Sequence, residues 1–434
     1  MIMNHDDALR RILTEALAAA DPRAAVRRAL SLRDGQVCVG GRAIEARRVV
    51  VLAVGKAAAG MAAAAVEIMG ERVDGGLVVT KRGYDEDVPT LRTLIAGHPE
   101  PDEGSRAAAI AVDALATSLG EGDLLLALVS GGASALLADV AGDITLDDLK
   151  ALSRDLLRSG ASIGDINAVR KHLSTLKGGG LVRRASPARV AALLLSDVVG
   201  DDPATIGSGL TAPDPTTLAD ALAVLRRHDL AAPPRIIDHL AVAPETPKPD
   251  DPLFNDAISL VVGSGHLSAE AAAVAAREQG YTPLILSTSM TGTAAELGRM
   301  HAAIVREVLA SGQPAPTPCA LISGGEATVV VRGAGLGGPN QEFALAMALE
   351  LQGVANWAAL AADSDGTDGP TDAAGGAVDG ATAGRIRAQG LDPDAALAHN
   401  ESYLALDAVD ALLRTGPTGT NVNDIRVVLI DGQP

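Results

Sequence analysis

Apolar residues in this chain gather into short uninterrupted runs: VVVLAV (49–54), DLLLALV (123–129), RVAALLL (189–195), SLVVG (259–263), PLILS (283–287), ATVVV (327–331), WAALAA (357–362) and IRVVLI (425–430). Runs of this length without a polar face predict strands buried on both sides. The alanine-rich, helically spaced stretches between several of them predict the covering helices. The expectation is an α/β protein with mostly parallel sheets, in which ligands bind beyond the carboxyl ends of the strands. Chemistry is therefore to be sought in the residues that follow each strand.

A length of 434 residues exceeds one ordinary core, so two domains are expected. Prolines accumulate over 231–254, as a linker or as a surface excursion, and QPAPTP (313–318) breaks the pattern again. The strand-helix-strand pattern at 257–287 can return to the first domain, which gives domains 1–313 and 314–434. VSGGASALL (129–137) and ISGGEATVV (322–330) echo each other and read as two similar turns.

Aromatic residues make up only 1 % of the chain, so the core is aliphatic and no base-stacking platform is available. A formal net charge of −18 repels nucleic acid and anionic membrane surfaces in general. Any anion site must then be a local pocket, and the partner a small molecule. Cys38 and Cys319 match no metal spacing and suit a reducing compartment. MIMNHDDALRR lacks a signal-peptide core and no apolar run has the length of a spanning helix, so a soluble cytoplasmic protein is expected. Self-association into a homodimer is left open.

Four loops carry candidate chemistry. Gly55 and Lys56 follow the first run, placing an ammonium beside a helix start, though Val50 and Ala57 stand where a Walker loop needs Gly and Ser or Thr. Ser130, Gly131, Gly132 and Ser134 offer hydroxyls and unobstructed backbone N–H groups, an anion nest or simply a tight turn. Asp197 ends the 189–195 run, with Asp201 and Asp202 close behind, as a Mg²⁺ ligand set or as Asx turns. NAVRKHLSTLKGGGL (167–181) concentrates Arg170, Lys171, His172 and Lys177, as a basic helix end or as an anion site. Continued helical spacing would put Asn167, Arg170, Ser174 and Lys177 on one face, with Lys171 turned partly away.

These loops, together with HPEPDEGS (98–105), SGGEATVVVRG (323–333), NQEFALA (340–346), DGTDGPTDAAGG (365–376) and TGPTGTNVND (415–424), resemble the glycerate 2-kinase family whose C-terminal part is the MOFRL domain, also labelled hydroxypyruvate reductase. The motifs follow family order over nearly the whole chain. The resemblance implies a Rossmann-like N-terminal domain, an active site in the interdomain cleft, and phosphorylation of the 2-hydroxyl of D-glycerate using ATP and Mg²⁺. It assigns catalysis to Lys56 and Arg170 and the metal to Asp197. Substrate and nucleotide contacts fall to Gly55, Ser130, Gly131, Gly132, Ser134, Lys171, Gly324, Gly325, Glu326, Asn340, Gln341 and Asp368.

Three positions depart from the family pattern. Pro339 replaces the arginine of GGRNQE, Leu210 the proline of SGPT, and DSDG (363–366) the usual GTDG, introducing Asp363. Arg332 is the nearest cation to compensate at the first. Two other readings follow: a relative with lost or altered kinase chemistry acting on another hydroxy acid, and an NAD-dependent reductase, which the absence of GxGxxG after a strand disfavours.

Overall fold

In a computed structural model that describes residues 5–432, the apolar runs form strands of two six-stranded sheets. The sheets belong to separate compact units. One is Pro22–Val262; the other joins the residues before Pro22 to those from Gly263 onward.

In the first unit, β1 (Leu30–Arg33), β2 (Gln36–Val39) and β3 (Arg42–Ile44) make a small antiparallel sheet. The main sheet contains β4 (Arg48–Val54), β5 (Val73–Lys81), β6 (Arg92–Ala96), β7 (Asp123–Val129), β8 (Arg189–Leu195) and β9 (Ile258–Gly263), in the order β6-β5-β4-β7-β8-β9. The pairs from β6 through β8 are all parallel. From β4 the chain winds outward to β6, then restarts on the other side of β4 and winds outward again. The strand order therefore reverses between β4 and β7, where Val54 pairs with Val129, and the expected Rossmann-like, doubly wound architecture is present.

Strands β4, β7 and β8 carry almost nothing but buried aliphatic side chains, which is why they read as continuous runs. Helix Ala58–Met69 starts directly from the end of β4, and helix Glu103–Thr117 is locked by a reciprocal cap between Asp102 and Ser105. The Gly97 amide also donates to Asp102 Oδ1 at 2.8 Å, which folds the loop carrying His98 back over the end of β6. The proline-rich stretch is an excursion within this unit rather than a linker: it forms helix Pro234–Val242, and Pro247 accepts from the Asp214 amide at 2.8 Å.

The second unit holds β10 (Thr282–Thr293), β11 (Cys319–Thr328), β12 (Trp357–Asp363), β13 (Gly375–Asp379), β14 (Leu412–Leu413) and β15 (Asp424–Ile430), ordered β10-β11-β15-β12-β13-β14. Only β10 and β11 are parallel, so this sheet is mixed and not mostly parallel as expected. The link from β12 to β13 is too short for the helical crossover a parallel pair requires. The boundary expected at 313/314 falls inside this unit, because β10 pairs with β11 from Thr282–Cys319 to Thr293–Thr328 and is bound to that sheet. The strand expected over 327–331 ends at Thr328. Among the described residues no helix is long and apolar enough to cross a membrane.

Candidate active site

The reversal of strand order leaves a crevice beyond the ends of β4 and β7, and the sequence places Gly55-Lys56 and Ser130-Gly131-Gly132 there. The two turns are tied together: Lys56 N donates to Gly131 O at 2.9 Å and Ala57 N to Ser130 Oγ at 3.0 Å. Gly55 adopts φ 131°, and a β-carbon there would collide with Ser130. Gly132 adopts φ 86°, where a β-carbon would stand 2.9 Å from the His98 ring and 3.5 Å from Lys56 Cγ. On the other side of the turn, a β-carbon on Gly131 would collide with the Asp197 carboxylate. Lys56, His98 and Asp197 thus converge on one glycine pair, which leaves room for a ligand to approach the backbone.

The electrostatics of this group follow from burial. His98 is pushed down to about 4 by burial, then by Lys56 and Lys81, so its imidazole is neutral at pH 7. Asp197 is pushed up by burial, against the opposing pull of Lys56. A carboxyl held above its usual range in a site facing an ammonium is a group suited to a cation or a proton. Asp202, by contrast, accepts from Ala204 N at 3.0 Å and Thr205 Oγ1 at 3.1 Å and is spent on its own turn.

Beside this group lies a hollow of ≈ 310 Å³ whose polar lining includes His98, Ser134, Lys150, Arg154 and Arg170. Arg170 is half-buried and its burial alone pushes its pKa down, with no anion to offset it. Among the described residues Lys56, Lys150, Arg154 and Arg170 have no carboxylate within ion-pair distance. Unpaired cations around a hollow constitute an anion site. Ser134 Oγ is linked to Ser208 Oγ at 2.8 Å, and Ser208 donates to Asn167 Oδ1 at 3.0 Å, which ties the glycine turn to the helix of Arg170.

The basic cluster divides differently from the expectation. The helix Ile163–His172 stops before Ser174, so Asn167, Arg170, Ser174 and Lys177 do not share one helical face. Asp139 causes the break. It accepts from Thr175 N at 2.6 Å, Leu176 N at 2.8 Å, Ser174 Oγ and Lys177 Nζ at 2.7 Å, which turns the backbone. Lys171 is not a ligand group: its ammonium is buried and reaches Asp214 Oδ1 at 3.2 Å. Ser130 is buried and its Oγ accepts from Ala57 N, so it ties the two turns together.

In the second unit, Asn340, Gln341 and Asp368 are all buried and joined through Asp368, while Asn340 Oδ1 and Gln341 Oε1 have no hydrogen-bond partner. Asp368 caps the helix Pro339–Glu350, accepting from Asn340 N at 3.0 Å and Gln341 N at 2.9 Å, while Asn340 Nδ2 donates to Asp424 Oδ1 at 2.6 Å. Gly324 and Gly325 lie inside β11 and not in a turn. A β-carbon on Gly324 would stand 3.1 Å from Asp424 O, and one on Gly325 would collide with the Met290 backbone. Glu326 follows them and is exposed.

The three departures also have places. Pro339 is the first helical residue after the Gly338 cap, a position that needs no N–H. Arg332 lines a hollow with Glu296, Arg299 and Glu342, and its charge acts on Glu342. Leu210 is buried in the aliphatic core that also contains Val129, so this substitution adjusts packing. Asp363 is pushed up to about 8 by burial and by the neighbouring Asp365, with Asp424 and Asp368 adding to it.

His98, Lys150 and Arg154 were not assigned by sequence reading. The signal for the last two was helical spacing: Lys150, Ser153, Arg154 and Leu157 recur at i, i+3, i+4 and i+7 and all line the hollow.

Residues 8–241 match the family model described as a domain of unknown function, DUF4147, and residues 319–424 match the MOFRL family. The chain is 45 % identical to the D-glycerate 2-kinase of Thermotoga maritima over 88 % of this chain and 91 % of that one. It is 44 % identical to an Agrobacterium vitis protein provisionally named hydroxypyruvate reductase, over 97 % of this chain and 94 % of that one. Among solved structures, a crystal structure of glycerate kinase from Thermotoga maritima is similar with a TM-score of 0.88 and 41 % identity, covering 96 % of this chain and 97 % of that chain.

Proposed function

Since the chain belongs to the glycerate kinase family that combines the DUF4147 and MOFRL domains, we propose that it transfers the γ-phosphoryl group of ATP to the 2-hydroxyl of D-glycerate, giving ADP and 2-phosphoglycerate. The observation that carries this reading is the set of unpaired cations, Lys56 and Arg170 foremost, at the strand-order reversal between β4 and β7. Phosphoryl transfer asks a protein mainly for position and for positive charge around the transferring group. Lys56 leaves the end of β4 on a turn whose backbone is bonded to the facing turn, so its charge is delivered without reorganisation. Arg170, lacking an internal partner, is free to pair with substrate anion. Neutral His98 offers a hydrogen bond to a hydroxyl.

Asp197 is the carboxylate available to Mg²⁺. Among the described residues no three His, Cys, Asp or Glu side chains gather as a metal site, so the ion would rest on Asp197 and phosphate oxygens, a ligand set Mg²⁺ commonly uses. When bound, Mg²⁺ supplies charge neutralisation between the phosphates. The hydroxyl oxygen of the acid forms its bond to phosphorus as the bond to the β,γ-bridging oxygen of ATP breaks, and the hydroxyl proton leaves toward solvent.

A second reading, a relative with altered phosphoryl transfer, is favoured by Pro339, where no guanidinium stands and the charge of Arg332 acts on Glu342. ADP release measured with and without D-glycerate separates the two. D-glycerate-dependent ADP release supports the kinase; NADH oxidation with hydroxypyruvate and no ADP release would replace it with the reductase.

A further inference from the structure

The helix Leu146–Arg158 belongs to neither glycine turn, yet it forms one wall of the ≈ 310 Å³ hollow through Lys150, Ser153, Arg154 and Leu157. Its start is fixed by a reciprocal cap between Thr145 and Asp148, and its opposite face is anchored by buried Leu152 and Leu156, so the cationic face is held toward the Gly132–Ser134 turn. Arg170 and His98 line the same hollow from other elements. The hollow also has apolar walls, from Leu149, Leu157 and Pro99.

Resting on the kinase reading above, we propose that this hollow is the acid-recognition subsite, in which Arg154 and Lys150 join Arg170 in holding the carboxylate of a hydroxy acid. The chemistry of the lining selects this ligand class. Planar guanidinium groups match a carboxylate in the two-bond mode. A neutral imidazole adds a hydrogen-bonding group without adding charge, which suits a hydroxyl of the same ligand. Apolar walls suit a short carbon chain and offer nothing to a triphosphate, whose binding draws on clustered backbone N–H groups. Of the two acids in the lining, Asp139 is buried and neutralised by Lys177, and Glu100 is exposed, where solvent screens its charge. The transferring end then lies toward Lys56, beside Gly132, and Asp197, beside Gly131. Lys150 and Arg154 determine which acids are taken, Arg170 holds the same carboxylate from its own helix, and Lys56 acts on the transferring group.

The test compares wild type, Arg154→Met and Lys150→Met, assayed for ADP release with D-glycerate and with its uncharged amide, D-glyceramide. Arg154 is exposed on a helix surface, so its replacement leaves folding intact, and circular dichroism checks this. A charge-assisted hydrogen bond is worth enough to raise KM for D-glycerate by roughly 10- to 100-fold in Arg154→Met. KM for ATP should stay within about twofold, and the wild-type preference for the acid over the amide should shrink by the same factor, because the two changes remove one interaction. Unchanged KM for D-glycerate in both variants would overturn the subsite, and so would a rise confined to ATP, which would make the helix a phosphate-binding wall. Calorimetric titration of D-glycerate into each protein without ATP reads the same subsite apart from turnover. Binding by wild type that weakens in Arg154→Met supports the subsite even where no ADP appears, while absence of binding to wild type overturns it.

Discussion

Arg170 and Lys171 are neighbours of the same charge on one helix, and the structure gives them opposite work. Lys171 Nζ lies 3.2 Å from Asp214 Oδ1, with side-chain exposures of 5 % and 0 %. Lys171→Met removes the cation and leaves a buried carboxylate, a loss typically of about 3–5 kcal/mol. Asp214 keeps hydrogen bonds from Thr216 N at 3.1 Å, Thr216 Oγ1 at 2.8 Å and Thr246 Oγ1 at 2.9 Å, so the loss should fall near the low end, roughly 3 kcal/mol. In a unit of this size that lowers Tm by about 6–12 °C. The pH dependence has a definite sign. Burial raises the Asp214 pKa, but Lys171 and the Thr216 and Thr246 bonds outweigh it and hold it below the ordinary value. A depressed carboxyl stabilises the fold above its unfolded pKa near 4 and loses that contribution as pH falls through the folded value. Without Lys171 the carboxyl protonates more readily, so the gap in Tm between wild type and Lys171→Met should narrow as pH falls from 7 toward 4. Arg170→Met removes an unpaired, half-buried cation, so Tm should stay level or rise while kcat/KM falls about 10³-fold or more. Thermal unfolding and ADP release on both variants check this. Equal destabilisation by the two substitutions would refute the division of labour and make Arg170 a structural cation.

Gly132→Ala forces an L-residue into φ 86° and drives a methyl group toward the His98 ring, which should cost about 1–2 kcal/mol in stability and a larger share of activity; thermal unfolding beside steady-state kinetics reads both. Asp197→Asn should weaken Mg²⁺ dependence more than D-glycerate binding, as a metal titration at fixed substrate would show. Pro339→Arg, at a helix start that tolerates either residue, should raise kcat for D-glycerate more than it alters KM, because the added charge acts on the transition state; unchanged kcat would show that the missing guanidinium is not limiting. The pH profile of kcat/KM should show no limb near 6.5 from His98, which stays neutral down to about 4.

The strands were legible because parallel strands covered on both faces are apolar throughout, and Lys56, Gly131, Gly132 and Asp197 were legible because strand ends in such a sheet are where ligands meet backbone. Lys171 was not, because its partner Asp214 is remote in sequence and helical spacing alone cannot show which cation finds a buried acid. Asp139 is as remote from the basic cluster, and it ended a helix that local periodicity would have continued. Asn340, Gln341 and Asp368 read as ligand-facing polar groups, but they close a helix start inside the second unit. Lys150 and Arg154 show only helical spacing, which any solvated helix face shares, and it is the fold that sets this face against the glycine turn. The mixed second sheet escaped notice because buried antiparallel strands are as uniformly apolar as parallel ones.

The most direct test of phosphoryl transfer at the strand-order reversal is product identity, read by phosphorus and proton NMR after wild type and Lys56→Ala are each incubated with ATP, Mg²⁺ and D-glycerate. Wild type should yield ADP with a new phosphomonoester coupled to the C2 proton, and Lys56→Ala, folded as judged by circular dichroism, should yield none within the same time. A phosphomonoester coupled only to the C3 protons would contradict the assigned position, equal product from Lys56→Ala would remove Lys56 from the mechanism, and no phosphomonoester from wild type would contradict the glycerate kinase assignment itself.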